Sequence, residues 1–111
     1  MIPQKIQDLM EQLTQKTLSK KINWERTSRE TEFRCILNNA IVTTDSWRNT
    51  MGKSAADFRI LNNDGEIIDS ITLNTDNLDY PYLIDFYLTV KRTYLKVDET
   101  LDNLLNELKD V

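Results

Sequence analysis

The chain has 111 residues, with two glycines, two prolines, one cysteine, no histidine, 40% apolar and 29% charged residues. That is one domain's worth of chain with the composition of a folded protein, so the expectation is a single domain over residues 1–111. The net charge of −4 is concentrated at one end: Asp98, Glu99, Asp102, Glu107 and Asp110 stand against Lys109 alone, and residues 1–97 balance.

A nucleic-acid binder needs a basic field to release counterions from phosphates, and none is present overall, which argues against that class. A lone cysteine, Cys35, forms no internal disulfide and fits a reducing, cytoplasmic setting. The first twenty residues mix acids, amides and lysines with apolar positions, unlike a signal-peptide core or a membrane span.

In chain order, residues 3 to about 20 read as a helix. Pro3 suits the first helical position, and Ile6, Leu9, Met10, Leu13 and Thr17 fall on one stripe. From Ile22 to about Leu73 the period becomes two, as in strands. Within this stretch "FRCILNNAIV" (33–42) returns as "FRILNNDGEII" (58–68). A two-residue turn at Asn38-Asn39 would set Leu37 opposite Ala40, Cys35 opposite Val42 and Phe33 opposite Thr44, with all six on one apolar face. In the second copy a three-residue loop, Asn63 to Gly65, would oppose Leu61 to Ile67, Ile60 to Ile68 and Arg59 to Asp69. The copies slip by one residue, which sends later side chains to opposite faces. Shared hairpin chemistry therefore explains the likeness better than paired binding sites do.

That register puts large aliphatics on both sheet faces. Ile36 and Ile41 oppose the face of Phe33 and Cys35, while Leu61, Ile67 and Ile71 oppose that of Phe58, Ile60 and Ile68. Either the segment 46–55 folds Trp47 and Met51 over the second face, or a partner covers it.

From Pro81 onward the period is helical again. Leu83, Tyr87, Val90, Tyr94, Val97, Leu101, Leu104 and Leu108 form an unbroken heptad seam, flanked by Phe86 and Leu105. One helix of about thirty residues would be a rod of about 45 Å, overhanging a domain this size. The alternative is a bend near Lys96–Asp98, with Asp98 capping a last helix that folds back onto the first. Ile84, Leu88 and Leu95 widen the apolar surface of the first half, which is expected to lie on the sheet.

Candidate catalytic chemistry is sparse. Without histidine the usual neutral-pH base and the commonest zinc ligand type are missing. Cys35 is expected to be a packing residue, and Glu30 and Glu32 solvated charges. "GKS" (52–54) lacks the glycine a phosphate loop needs at position 47, which is Trp47. "NNDGE" would put Ile60 and Ile71 at calcium-ligand positions. Tyr87 and Tyr94 belong to the seam rather than to a base-stacking platform.

The expected architecture is α+β: an N-terminal helix, an antiparallel meander of four or five strands, then one long helix or two consecutive ones. The expected function is a non-enzymatic protein-interaction module (adaptor, inhibitor or antitoxin-like) without a cofactor or metal. It would bind a protein partner or a second copy through Leu101, Leu104, Leu105 and Leu108, and through Ile36, Ile41, Leu61 and Ile67. The alternative is a small-molecule-binding or cryptic enzymatic domain, with a pocket between sheet and C-terminal helix near Trp24, Trp47 and Tyr82.

Overall fold

The computed structural model describes residues 1–111. Its elements are α1 (Gln4–Leu18), β1 (Glu25–Arg26), β2 (Phe33–Ile36), β3 (Ile41–Arg48), β4 (Ser54–Leu61), β5 (Ile67–Asn74), α2 (Tyr80–Tyr94) and α3 (Val97–Lys109). The strands form one antiparallel meander in the order β1-β2-β3-β4-β5. The expected α+β arrangement is therefore the one seen, with five strands and two C-terminal helices. No helix is long and apolar enough to cross a membrane.

Alternation along the strands builds the core. Phe33 and Cys35, Val42 and Thr44, Ala56 and Phe58 point to the face that α1 and α2 cover, where they are buried. Against them pack Leu83, Phe86, Tyr87 and Val90 of α2 and Met10 and Leu13 of α1. Phe58 meets Phe86 edge-on with centroids 5.5 Å apart, and Trp24 meets the same ring at 6.0 Å. The buried Trp24 indole N–H donates to Thr17 Oγ1 at 2.9 Å, and that hydroxyl donates to the Leu13 carbonyl at 2.6 Å. A polar pair thus crosses the core with its donors satisfied. Pro3 takes the N-cap of α1 rather than its first turn. The chain start is tied to α2, where Asp79 Oδ2 accepts the Ile2 N–H at 3.0 Å.

The first hairpin has the expected register, with Phe33 against Thr44, Cys35 against Val42 and the Leu37 N–H bonded to the Ala40 carbonyl. The second agrees only at its tip. Leu61 faces Ile67 and Gly65 takes the expected positive φ of 84°. A bulge between Ile60 and Leu61 then shifts the ladder, so Ile60 faces Asp69 and Arg59 faces Ser70. Ile68 is left exposed, and Ile71, opposite Phe58, joins the core face instead of the outer one. Arg59 pairs with Asp57 on its own strand, not with Asp69.

Segment 46–55 is not a lid. Ser46–Arg48 finish β3, Ser54 and Ala55 begin β4, and Met51 sits exposed at the hairpin tip between them. The heptad seam is broken at Lys96, which adopts a left-handed conformation (φ 55°, ψ 46°) and serves as the N-cap of α3. Asp98 lies inside the first turn and does not cap it. Neither does α3 fold back onto α1: none of its residues is buried, and the ion pair Lys20–Glu99 (3.0 Å) joins only its first turn to the end of α1. The projection shows in the dimensions. The radius of gyration is 15.6 Å and the longest extent 51 Å, against about 13 Å of gyration for a compact chain of this length.

Candidate functional site

Two surfaces stand out, and the sequence-derived partner residues divide between them. On α3, Leu101 and Leu104 are each 48% exposed, Leu105 59% and Leu108 67%. Leu101, Leu104 and Leu108 follow Val97 in steps of 4, 3 and 4, and with the flanking Leu105 they lie on one side of a thirteen-residue helix none of whose residues is fully buried. The four sheet residues converge more tightly. Ile36 pairs with Ile41, Ile41 with Leu61, and Leu61 with Ile67. They make one cross-strand row over four strands on the face away from the helices, and its two ends, Ile36 and Ile67, are more than half exposed.

The same register orders the rest of this outer face into bands. Next to the aliphatic row lies a row of Glu25, Arg34, Thr43, Arg59 and Ser70. Beyond it Asp45 faces Asp57, with Thr72 on β5, and a last row holds Trp47, Ala55 and Asn74. Successive rows are two residues apart along each strand, about 7 Å.

The acidic band is the unusual one. Asp45 and Asp57 stand directly opposite each other on adjacent strands, each 1% exposed. Arginines roof them: Arg29 Nη2 is 2.8 Å from Asp45 Oδ2, and Arg59 Nε is 3.0 Å from Asp57 Oδ2. The first contact is close but not in line for a hydrogen bond. Asp45 Oδ2, Asp57 Oδ1 and Thr43 Oγ1 are all buried without a hydrogen-bond partner. Asp45 Oδ1, by contrast, accepts the Ser46 N–H at 2.8 Å. Burial raises Asp57 from its ordinary 3.8 to about 6; Arg59 opposes the rise, and the Asp45 and Glu32 carboxylates add to it. The pair is sealed from solvent, so it is not placed to exchange protons with a substrate.

Sequence reasoning passed over this cluster. A signal was present, because Asp is disfavoured in strand interiors and two of them recur in "TTDSW" and "AADFR". Placing them opposite each other requires the β3–β4 register, which the sequence alone does not set because no turn signal marks the tip between residues 48 and 54 as plainly as at Asn38-Asn39.

The alternative pocket does not form around its three residues. Trp24 is in the core and also lines a groove of about 850 Å³ between residues 21–25 and the β2–β3 turn. Tyr82 lies between α1 and α2, its hydroxyl donating to the Gln7 carbonyl at 3.3 Å. Trp47 is on the outer sheet face. The space between sheet and α2 is filled by Phe33, Phe58, Phe86 and Tyr87. Cys35 is buried on the inward face, where burial raises its thiol pKa. "GKS" belongs to the β3–β4 turn and the start of β4, with Lys53 paired to Asp76. In the "NNDG" loop Asn62 Oδ1 accepts the Asp64 and Glu66 N–H groups, a side-chain-stabilised turn. Comparison with protein-family models, with curated proteins and with solved structures returns no match to this chain.

Proposed function

We propose that this protein is a non-enzymatic interaction module whose C-terminal helix docks into a partner protein through Leu101, Leu104, Leu105 and Leu108. The observation that carries the reading is that α3 has no buried residue and an aliphatic stripe. A lone helix of thirteen residues is marginal in water, and helices of this kind hold when their apolar side is buried. Burying the exposed halves of four leucines contributes about 1 kcal/mol each, or about 4 kcal/mol for the stripe.

Charge favours a foreign partner over a second α3. Asp98, Glu99, Asp102, Glu107 and Asp110 crowd the helix against Lys109 alone. Two such helices would repel, whereas a partner with Lys or Arg beside its apolar groove would be attracted, more strongly at low salt. The sealed Asp45–Asp57 pair and the filled sheet–helix interior support a binding role over catalysis.

A photoreactive amino acid placed at Leu104, and separately at Asn106 on the other side of α3, tests this in the cells that make the protein. The expected result is an adduct with another protein from position 104, weakened by salt and absent from position 106. No adduct from 104, or equal adducts from both, would refute the reading.

A further inference from the structure

We propose that Lys96 is a two-state hinge. Around it α2 and α3 exchange between the bent arrangement and one continuous helix over residues 80–109, in which the leucine stripe of α3 prolongs the seam of α2.

The residues at the break give no local reason for it. From Tyr82 to Val111 there is neither glycine nor proline. The seam also passes through without a slip: Val90, Tyr94, Val97 and Leu101 follow in steps of 4, 3 and 4. One helix would therefore carry Leu101, Leu104 and Leu108 in line with Leu83, Tyr87 and Val90. Two helices that were always separate would need no such agreement of phase.

The bent form is poorly served at the same point. Lys96 holds φ 55° and ψ 46°, a left-handed conformation that is costly for any residue with a Cβ. As the N-cap of α3 it makes no side-chain hydrogen bond, and an ammonium has no acceptor to offer the first N–H groups. The Val97, Asp98 and Glu99 N–H groups are left to water, and the first bond into α3 runs from the Thr100 N–H to the Lys96 carbonyl at 3.0 Å. In one helix those three groups would donate to the carbonyls of Thr93, Tyr94 and Leu95, and Lys96 would return to right-handed backbone.

Little holds the bend in place. No residue of α3 is buried. Two exposed ion pairs, Lys20–Glu99 at 3.0 Å and Arg92–Asp98 at 3.9 Å, tie its first turn to the rest of the chain, and such pairs contribute little. Clefts of about 130 and 480 Å³ meet at the Lys20–Glu99 pair, so this turn is not packed down. By contrast α2 is fixed as far as Tyr94, whose ring lies 5.0 Å from that of Phe33 and 5.1 Å from the Arg26 guanidinium. Only the chain beyond it is free to swing. Small opposing terms of this kind leave two arrangements close in free energy.

One consequence rests on the partner role of α3 proposed above. The straight form offers a partner a continuous seam from Tyr94 to Leu108, so docking there would draw the equilibrium toward it. The exchange itself needs no partner and is tested on the free chain.

Pulsed electron–electron resonance between spin labels at Asp85→Cys and Asn106→Cys, both exposed positions, measures it; Cys35 is buried and escapes labelling. One helix sets these two Cα atoms about 32 Å apart, and the bend brings them closer. The expected result is two resolved distances. Lys96→Gly relieves the left-handed strain and weakens a helix interior, so it should lower the ratio of long to short at least about tenfold. Lys20→Gln cuts the tie to Glu99 from outside both helices, and Lys96→Ile places a Cβ-branched residue where φ is positive. Together they should raise the ratio at least about fivefold. A single distance that none of these variants moves would overturn the proposal. So would one broad spread of distances, the mark of a loose linker, or a ratio that rises with Lys96→Gly. Crosslinking from Leu104 reports on the partner separately: a fixed bend would sink the hinge and leave that reading standing.

Discussion

Replacing Asp57 by Asn should change stability in a way that depends on pH. Asp57 is 1% exposed, faces Asp45 across the β3–β4 ladder, and is raised by burial from 3.8 to about 6. A carboxyl whose folded pKa lies above its unfolded one holds its proton more tightly in the native state. Its contribution is therefore fully present below about pH 3.8 and is lost as the pH rises to about 6. A rise of about two pKa units corresponds to about 3 kcal/mol between those limits. Asparagine does not titrate there, and its amide also offers N–H donors beside the unpartnered Asp45 Oδ2.

Urea unfolding followed by the fluorescence of Trp24 and Trp47, at several pH values from 3.5 to 7.5, measures the stability difference between variant and wild type. That difference should shift in favour of Asp57→Asn by about 3 kcal/mol from the acidic to the neutral end, with the change centred between the two pKa values. A difference that is flat with pH, or one that moves against the variant as pH rises, would refute the reasoning. The carboxylate would then be better compensated by Arg59 and Arg29 than its burial implies.

Two further outcomes follow from the core and the sheet edge. Thr17→Val keeps the shape of the core but removes the acceptor of the Trp24 indole N–H; leaving that donor buried and unpaired should cost about 1–3 kcal/mol in denaturant midpoint stability, and a neutral result would mean the hydrogen bond contributes nothing net. Asp69→Ala uncaps the Ser70 N–H on the β5 edge and should leave thermal stability within about 0.5 kcal/mol, as for surface substitutions generally, while raising the rate of aggregation under mild agitation; an unchanged rate would show that this cap does not guard the edge.

Much of the fold was legible because it rests on local periodicity. The stripe of Met10, Leu13 and Thr17 and the buried series Leu83, Tyr87 and Val90 follow from helical spacing. The β2–β3 register follows from a two-residue turn and alternation. Each of these is decided by residues a few positions apart, so the amino-acid order alone determines them. The α3 stripe and the aliphatic row were legible as residues, but only their placement shows them uncovered and, on the sheet, aligned in one row.

What tertiary structure decided depends on contacts between distant segments. The bulge at Ile60/Leu61 moved Ile71 onto the core face because Phe58, Ala56 and the α2 side chains reward that alternation more than an unbroken tip register would. The break at Lys96 has no glycine to announce it, and lysine carries no strong preference for left-handed backbone. The Asp45–Asp57 pair came from aligning β3 with β4 over their full length, under arginines drawn from the β1–β2 loop and from β4. Chain order sets which side chains can share a face, whereas burial and charge compensation arise only when separate segments are brought together in space.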